Sequence, residues 1–403
     1  MLTYQQARQE IVAHLSNGKH PAKTVDRSVW DALGFVLAQD LQADRDYPPF
    51  HRATRDGYAV RGAESTAGAS LICAGEVKAG DAHIPVLAPQ TCLQIMTGAP
   101  LPSGADAVVM IEHTTRDGDV IHFRQAATPG QNIVPQGHEG AVNQILLRRG
   151  ARLGYAELSL AAQIGATTLR CAKKPRVAIL STGDELVPVD ATPAPFQIRN
   201  SNSVSLSAQV QLAGGEPVVL AKASDRLENL RENIQLGLKE DILVLSGGVS
   251  MGKYDLVEDV LKELGVTFHF DAVAIRPGKP AVFATLHGKP IFGLPGNPLS
   301  TMVTFELFVV SAIDLLSGAS ARPLPLLKAS LAAFIKEKPG MTHFLPSIIQ
   351  WSNGVATVQP LPWKGSGDTV SMARANCFTV VGAETEALPA GESVNVLLRK
   401  DLF

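Results

Sequence analysis

Cysteine is scarce. Four occur in 403 residues, at positions 73, 92, 171 and 377, and no two form a CxxC pair. Local spacing therefore speaks against a zinc ribbon or a dithiol redox motif, and a chain this long with so few thiols is no disulfide scaffold. The expectation is free thiols in a reducing cytoplasm. Charge excess is lacking too: 36 basic residues face 38 acidic ones, a net charge of −2. Such a chain has no global field to gather nucleic acid or an acidic membrane, so an anionic ligand must be held by a local site. The N-terminal MLTYQQARQEIVAHL has no basic segment leading into an apolar one, and reads as an amphipathic helix, not a signal peptide. Apolar stretches are broken by charge, Gly or Pro well short of a membrane span. What remains is an ordinary globular composition, 45% hydrophobic and 18% charged, with length for two to four domains.

Texture divides the chain. Residues 1–45 read as helical, with Leu2, Ala7, Ile11 and Leu15 near helical spacing. Pro48-Pro49 stops that pattern, and short β-branched runs between Gly and Pro then predict a β-rich domain over 46–142. Residues 143–172 turn helical again, so 1–45 and 143–172 are expected to pack as one discontinuous helical domain. Residues 173–322 repeat strand, glycine loop and helix: VAILS (177–181), a helix from about Asn202 to Ala213, VVLAK, a helix capped by Asp225, ILVLS (242–246), a helix over 254–264, then PIFGL into PGNP and a long helix over 298–316. That order predicts a doubly wound parallel α/β sheet, with ligands outside the carboxyl ends of its strands. After Arg322-Pro323-Leu324-Pro325, residues 323–403 read as a small β-barrel or sandwich.

Chemistry gathers at those strand ends. Thr182-Gly183 follows Ser181, and Gly247-Gly248 follows Ser246; glycine lets backbone approach a ligand, and hydroxyls with free amides hold phosphate oxygens. Neither loop is a P-loop or a dinucleotide fingerprint. Asp184, Glu185, Asp225 and Asp255 stand beside these ends; carboxylates next to phosphate commonly hold Mg²⁺, and Asp225 also suits a helix cap. Arg276-Pro277-Gly278-Lys279-Pro280 puts two cations on a stiff turn that can meet an oxyanion at little ordering cost. Pro298 opens a helix whose dipole favours the same charge, with Ser300 in its first turn. His51, His113, His138 and His343 show no metal-ligand spacing and read as surface or core residues.

PPFHRATRDGYAV (48–60), IMTGAPLPSGADAVVM (95–110), PGQNI (129–133), STGDEL (181–186), SNS (201–203), SGGVSMGKYD (246–255), RPGKPAVFATL (276–286), GLPGNPLSTMVTFELFV (293–309), KGSG (364–367) and ARAN (373–376), in this order from about residue 2 to 398, resemble the MoeA family, the molybdopterin molybdenumtransferases that include the gephyrin E domain. The resemblance implies an elongated four-domain homodimer with a MogA-like domain. Its cleft would lie between that domain and the partner's β-rich domain. The reaction would load molybdate onto molybdopterin adenylate with a divalent cation, usually Mg²⁺, releasing AMP and molybdenum cofactor. Contact with a MogA-type adenylyltransferase is implied as well. By the same resemblance Asp56, Thr97 and Glu139 belong to the cleft. Thr182, Gly183, Asp184, Glu185, Ser246, Gly247, Gly248 and Asp255 match the pterin-phosphate and nucleotide loops. Glu185, Asp225 and Asp255 are candidate metal ligands. Lys279 and Ser300, with Ser366, match positions implicated in oxyanion binding; Arg276 stands where many members have Lys and keeps the charge, and Pro298 is a further expected substrate-binding residue. Asp56, Glu185, Asp255 and Lys279 are the expected catalytic groups.

The chain departs from the family pattern at His51, Arg52 and Arg55, which replace neutral or acidic residues, and at Gly340–Pro346, which lacks both arginines of a frequent GRxEFxR motif. Either Arg52 or Arg55 compensates from elsewhere, or the oxyanion site is weaker, or this branch carries out an adjacent reaction. A tungsten-inserting paralogue and a non-catalytic gephyrin-like scaffold are the alternatives; a MogA-like adenylyltransferase would not explain similarity over the full chain.

Overall fold

The computed structural model describes residues 1–17, 23–224, 226–248 and 256–402. The Tyr4–Asn17 helix opens on a reciprocal cap. Thr3 N–H donates to Gln6 Oε1 (2.9 Å), and Gln6 N–H donates to Thr3 Oγ1 (3.2 Å). Its buried Tyr4, Ala7, Ile11 and Leu15 recur at helical spacing and join the core of the α/β domain. Helix does not continue over 24–45. Thr24–Ser28 is a strand antiparallel to Thr168–Ala172, and Leu41–Gln42 pairs with Ile145–Leu147. Tertiary pairing with a distant segment overrides local periodicity here, and only Tyr155–Gln163 is helical in the second segment. Buried Leu37, Leu41, Leu153, Ala161 and Cys171 share one core across the two segments.

The β-rich region folds into a six-stranded sheet in the order Ala107–Met110, Gly57–Val60, Thr91–Ile95, Ser70–Val77, Val120–Phe123, Thr114–Asp117.

The α/β sheet orders Glu216–Val219, Arg176–Ser181, Ile242–Ser246, Lys289–Leu294, Val282–Leu286 and Thr267–Phe270. Period-2 burial explains its double winding. Val177 and Ile179 pack with the Ser201–Ala213 helix on one face, while Ala178 and Leu180 pack with the Leu227–Gly237 and Leu256–Glu263 helices on the other. The first four strands run parallel as expected, but Val282–Leu286 runs antiparallel to both neighbours. His287 (φ 48°) and Gly288 (φ 82°) close a two-residue hairpin, which needs no crossover helix. The helix expected to start at Asp225 is flanked by Arg226, whose side chain makes no cap bond; Asp225 itself lies outside the described residues.

At the C-terminal end Thr342–Ser352, Val355–Pro360, Leu326–Leu331, Ser393–Leu398 and Cys377–Val381 close into a five-stranded barrel. Ile275–Arg276 pairs parallel to Thr342 and His343, stitching the Arg276 loop to the barrel. Pro298–Leu316 is long and apolar enough to cross a membrane by composition, yet most of it is buried as the core helix. Its middle turn, Phe305–Val309, is a π-helix.

Candidate active site

Three adjacent strand ends meet in register. Ser181 lies opposite Ser246, and Ser246 opposite Leu294. Thr182 N–H donates to Ser246 O and Gly247 N–H to Leu294 O, both at 3.1 Å. The loops then touch backbone to backbone. A Cβ on Gly247 (φ 90°) would stand 2.9 Å from Thr182 O; one on Gly248 (φ 62°) would stand 2.8 Å from Thr182 Oγ1 and 2.7 Å from Val257. Glycine is required there on both conformational and steric grounds.

Two residues outside the expected set hold these ends together. Asn202 Nδ2 donates to Ser246 Oγ (2.9 Å), Gly296 O (2.8 Å) and Thr301 Oγ1 (3.3 Å). Lys222 Nζ gathers the carbonyls of Gly183 (3.4 Å), Asp184 (3.3 Å) and Leu186 (2.6 Å). Asn202 was visible in the SNS motif; Lys222 had no local signal, because its role follows from strand order. Thr182 Oγ1 and Asn202 Oδ1 are buried and accept no hydrogen bond among the described residues. Asp184 and Glu185 are exposed at the loop edge, and the Glu185 carboxylate folds over Gly183, where a Cβ would meet Oε2 at 2.6 Å. Asp225 and Asp255, the other expected metal ligands, lie outside the described residues. Among the described residues, no three His, Cys, Asp or Glu side chains converge as a metal site.

A cationic corner adjoins the third strand end. Arg276 and Lys279 are exposed. Gly278 (φ 112°) presses their loop onto the Pro298 helix, since a Cβ would meet Thr304 Cγ2 at 2.6 Å. The start of that helix is finished by the barrel: Leu299 N–H donates to Ser366 O (2.9 Å), and Asn297 Nδ2 donates to Ser366 Oγ (2.8 Å). A free helix N–H is thus satisfied from another domain. Pro298 is half-buried, whereas Ser300, expected at the oxyanion, is only 3% exposed, beneath that turn.

The β-rich domain carries the remaining expected groups, each bonded within that domain. Asp56 Oδ1 accepts from Thr97 N–H at 2.6 Å, and the Thr97 amide and hydroxyl hold the Asp56 carboxyl below its usual range. Glu139 pairs with Arg52 at 2.8 Å. Arg52 is therefore already engaged, which weakens its case as a compensating cation.

Residues 2–165 match the MoeA N-terminal region (domain I and II), 178–315 a probable molybdopterin binding domain, and 328–398 the MoeA C-terminal region (domain IV). A molybdopterin molybdenumtransferase of Staphylococcus epidermidis is 33% identical, over 93% of this chain and 91% of its own length. The chain belongs to the molybdopterin molybdenumtransferase family. A Staphylococcus aureus relative of the same name is 31% identical over 96% of the chain and 94% of its own length. Two crystal structures of molybdopterin biosynthesis MoeA protein from Pyrococcus horikoshii each cover 99% of this chain. One has 30% identity, a TM-score of 0.73 and 99% coverage of its own chain; the other has 27%, 0.80 and 100%.

Against the molybdenumtransferase pattern, the arginine-free Gly340–Pro346 stretch has a plain structural outcome. Residues 342–347 are buried in a barrel strand, and His343 is 1% exposed, with Nδ1 2.9 Å from Glu337 Oε2 and Nε2 3.0 Å from Lys338 O. Neither missing cation is replaced along that strand.

Proposed function

We propose that this molybdopterin molybdenumtransferase-family enzyme of molybdenum cofactor biosynthesis loads molybdate onto molybdopterin adenylate, releasing AMP and forming molybdenum cofactor, as a cytoplasmic homodimer. The observation that carries the reading is the meeting of three strand ends over glycine backbone, with two buried acceptors, Thr182 Oγ1 and Asn202 Oδ1, that have no partner among the described residues. Buried acceptors call for donors. A pterin or adenine ring supplies N–H groups, and the loop amides suit the phosphates between them. Mg²⁺ would be held by Glu185 with Asp225 and Asp255, and when bound would neutralise anhydride charge. Arg276 and Lys279, at the dipole of the Pro298 helix, attract molybdate and stabilise charge that grows as the phosphoanhydride breaks. Ser366 is the serine we assign to that corner, and Ser300 packs below it. Asp56, Thr97 and Glu139 of one protomer would complete the cleft of its partner, and the adenylate would arrive from a MogA-type adenylyltransferase.

The test is AMP release from the purified protein given molybdopterin adenylate and Mg²⁺, with molybdate, with tungstate or with neither. Molybdate-dependent release with active cofactor formed supports the reading. Preference for tungstate assigns the chain to tungsten insertion. Tight adenylate binding without oxyanion-dependent release would leave only the scaffold role.

A further inference from the structure

The sequence places Cys73 and Cys92 nineteen positions apart with no motif between them, yet the fold makes them neighbours. Strands Ser70–Val77 and Thr91–Ile95 run parallel, and Cys73 lies directly opposite Cys92 in their register. Residues paired this way point to the same face, and Cys73 packs against the small core that contains Cys92. Adjacent strands are about 4.8 Å apart, inside the Cα range of about 4.4–6.8 Å that a disulfide can bridge. The two thiols differ in access: Cys92 is fully buried, while Cys73 is half-buried and donates to Gly75 O at 3.4 Å. The ladder shifts register immediately after Cys73, which leaves slack on the more exposed side.

We propose that Cys73 and Cys92 form a reversible disulfide under peroxide, a redox-responsive modification site in the β-rich domain. Cys73, the accessible thiol, reacts first: its sulfur displaces water from hydrogen peroxide and becomes a sulfenic acid. The Cys92 sulfur then attacks Cys73 Sγ. The S–O bond breaks, and the leaving hydroxide takes the Cys92 proton as water. Two thiols are oxidised to a disulfide, and one peroxide is reduced to two waters in all. Burial and the neighbouring Cys73 push the Cys92 thiol up to about 12, so Cys92 is poorly placed to react first with peroxide, and its attack on the sulfenic acid rests on its position directly opposite Cys73. A bond across adjacent parallel strands needs the Cβ atoms drawn closer than the sheet spacing. Such a link is strained and readily reduced, which is the property of a regulatory disulfide. Its place is functional: Thr91–Ile95 runs directly into Met96 and Thr97, and Thr97 holds Asp56.

The full-length protein is treated with hydrogen peroxide, quenched with an alkylating agent, digested without reductant and mapped by mass spectrometry. The expected product is a peptide pair joined through Cys73 and Cys92, lost on dithiothreitol treatment, with Cys171 and Cys377 alkylated after denaturation. Cys73→Ser should abolish the link and leave Cys92 reduced. Cys92→Ala should leave Cys73 as a sulfenic acid that a dimedone probe captures. Should Cys92→Ala fail to fold, the wild-type map and Cys73→Ser decide alone. Oxidation of Cys73 to sulfinic acid with Cys92 still reduced, or no reaction at either thiol, overturns the proposal. Neither result bears on AMP release, so the proposal stands or falls apart from the function above.

Discussion

At Gly57 an added Cβ would lie 1.9 Å from Val109 O and 2.8 Å from Val109 C, both main-chain atoms. Backbone held in a ladder cannot step aside, so Gly57→Ala should destabilise the β-rich domain by about 3 kcal/mol or more, read as a lowered urea midpoint. Asn202→Ala removes donors to Ser246, Gly296 and Thr301 at once. The expected loss is about 1–3 kcal/mol of stability, together with weaker adenylate binding by calorimetry; unchanged affinity would separate Asn202 from the ligand. Asp314, 1% exposed, meets Arg152 at 2.8 Å and Arg322 Nε at 2.9 Å. Asp314→Ala strands two part-buried guanidinium groups, and a loss of about 3–5 kcal/mol should follow in the thermal or urea transition.

The N-terminal helix meets the sheet through a histidine pair, His14 and His269, with ring centroids 3.8 Å apart and planes tilted by 43°. Burial, then the nearby His14, lowers the His269 pKa from 6.5. The folded state therefore resists protonation more than the unfolded chain does. Its contribution to stability is present above about pH 6.5 and is lost as pH falls through the lower folded value. A urea titration from pH 7.5 to 5 should show this fall, and His269→Phe should flatten it. Much of this element was legible: Ala7, Ile11 and Leu15 announced a buried helical face, and Val177 to Leu180 a strand covered on both sides. The Thr24–Ser28 strand was not, because its partner lies across the whole β-rich domain. Nor was the antiparallel Val282–Leu286 strand, whose turn rests on a histidine at positive φ. At the site, glycine and charge marked the loops, but the Asn202 bridge and the burial of Ser300 depend on which strands lie side by side and how a helix start is covered.

Across the molecule, the expected groups divide between two bodies of chemistry, the strand ends and the Asp56–Thr97 pair. If partners complete each other's cleft, mixing Asp56→Asn with Glu185→Gln protein under subunit exchange should restore part of the AMP release that each lacks alone. No recovery, with exchange verified by native mass spectrometry after one variant is isotope-labelled, would place both groups in one chain's site. The barrel's grip on the helix start carries its own consequence, one of time. Ser366 supplies the acceptor for Leu299 N–H and the partner of Asn297, yet it is synthesised nearly seventy residues after them. A nascent chain can assemble the α/β sheet while its oxyanion corner still lacks this closure, so the site becomes complete only as the last strands emerge, and a chain stopped before residue 364 never seals it.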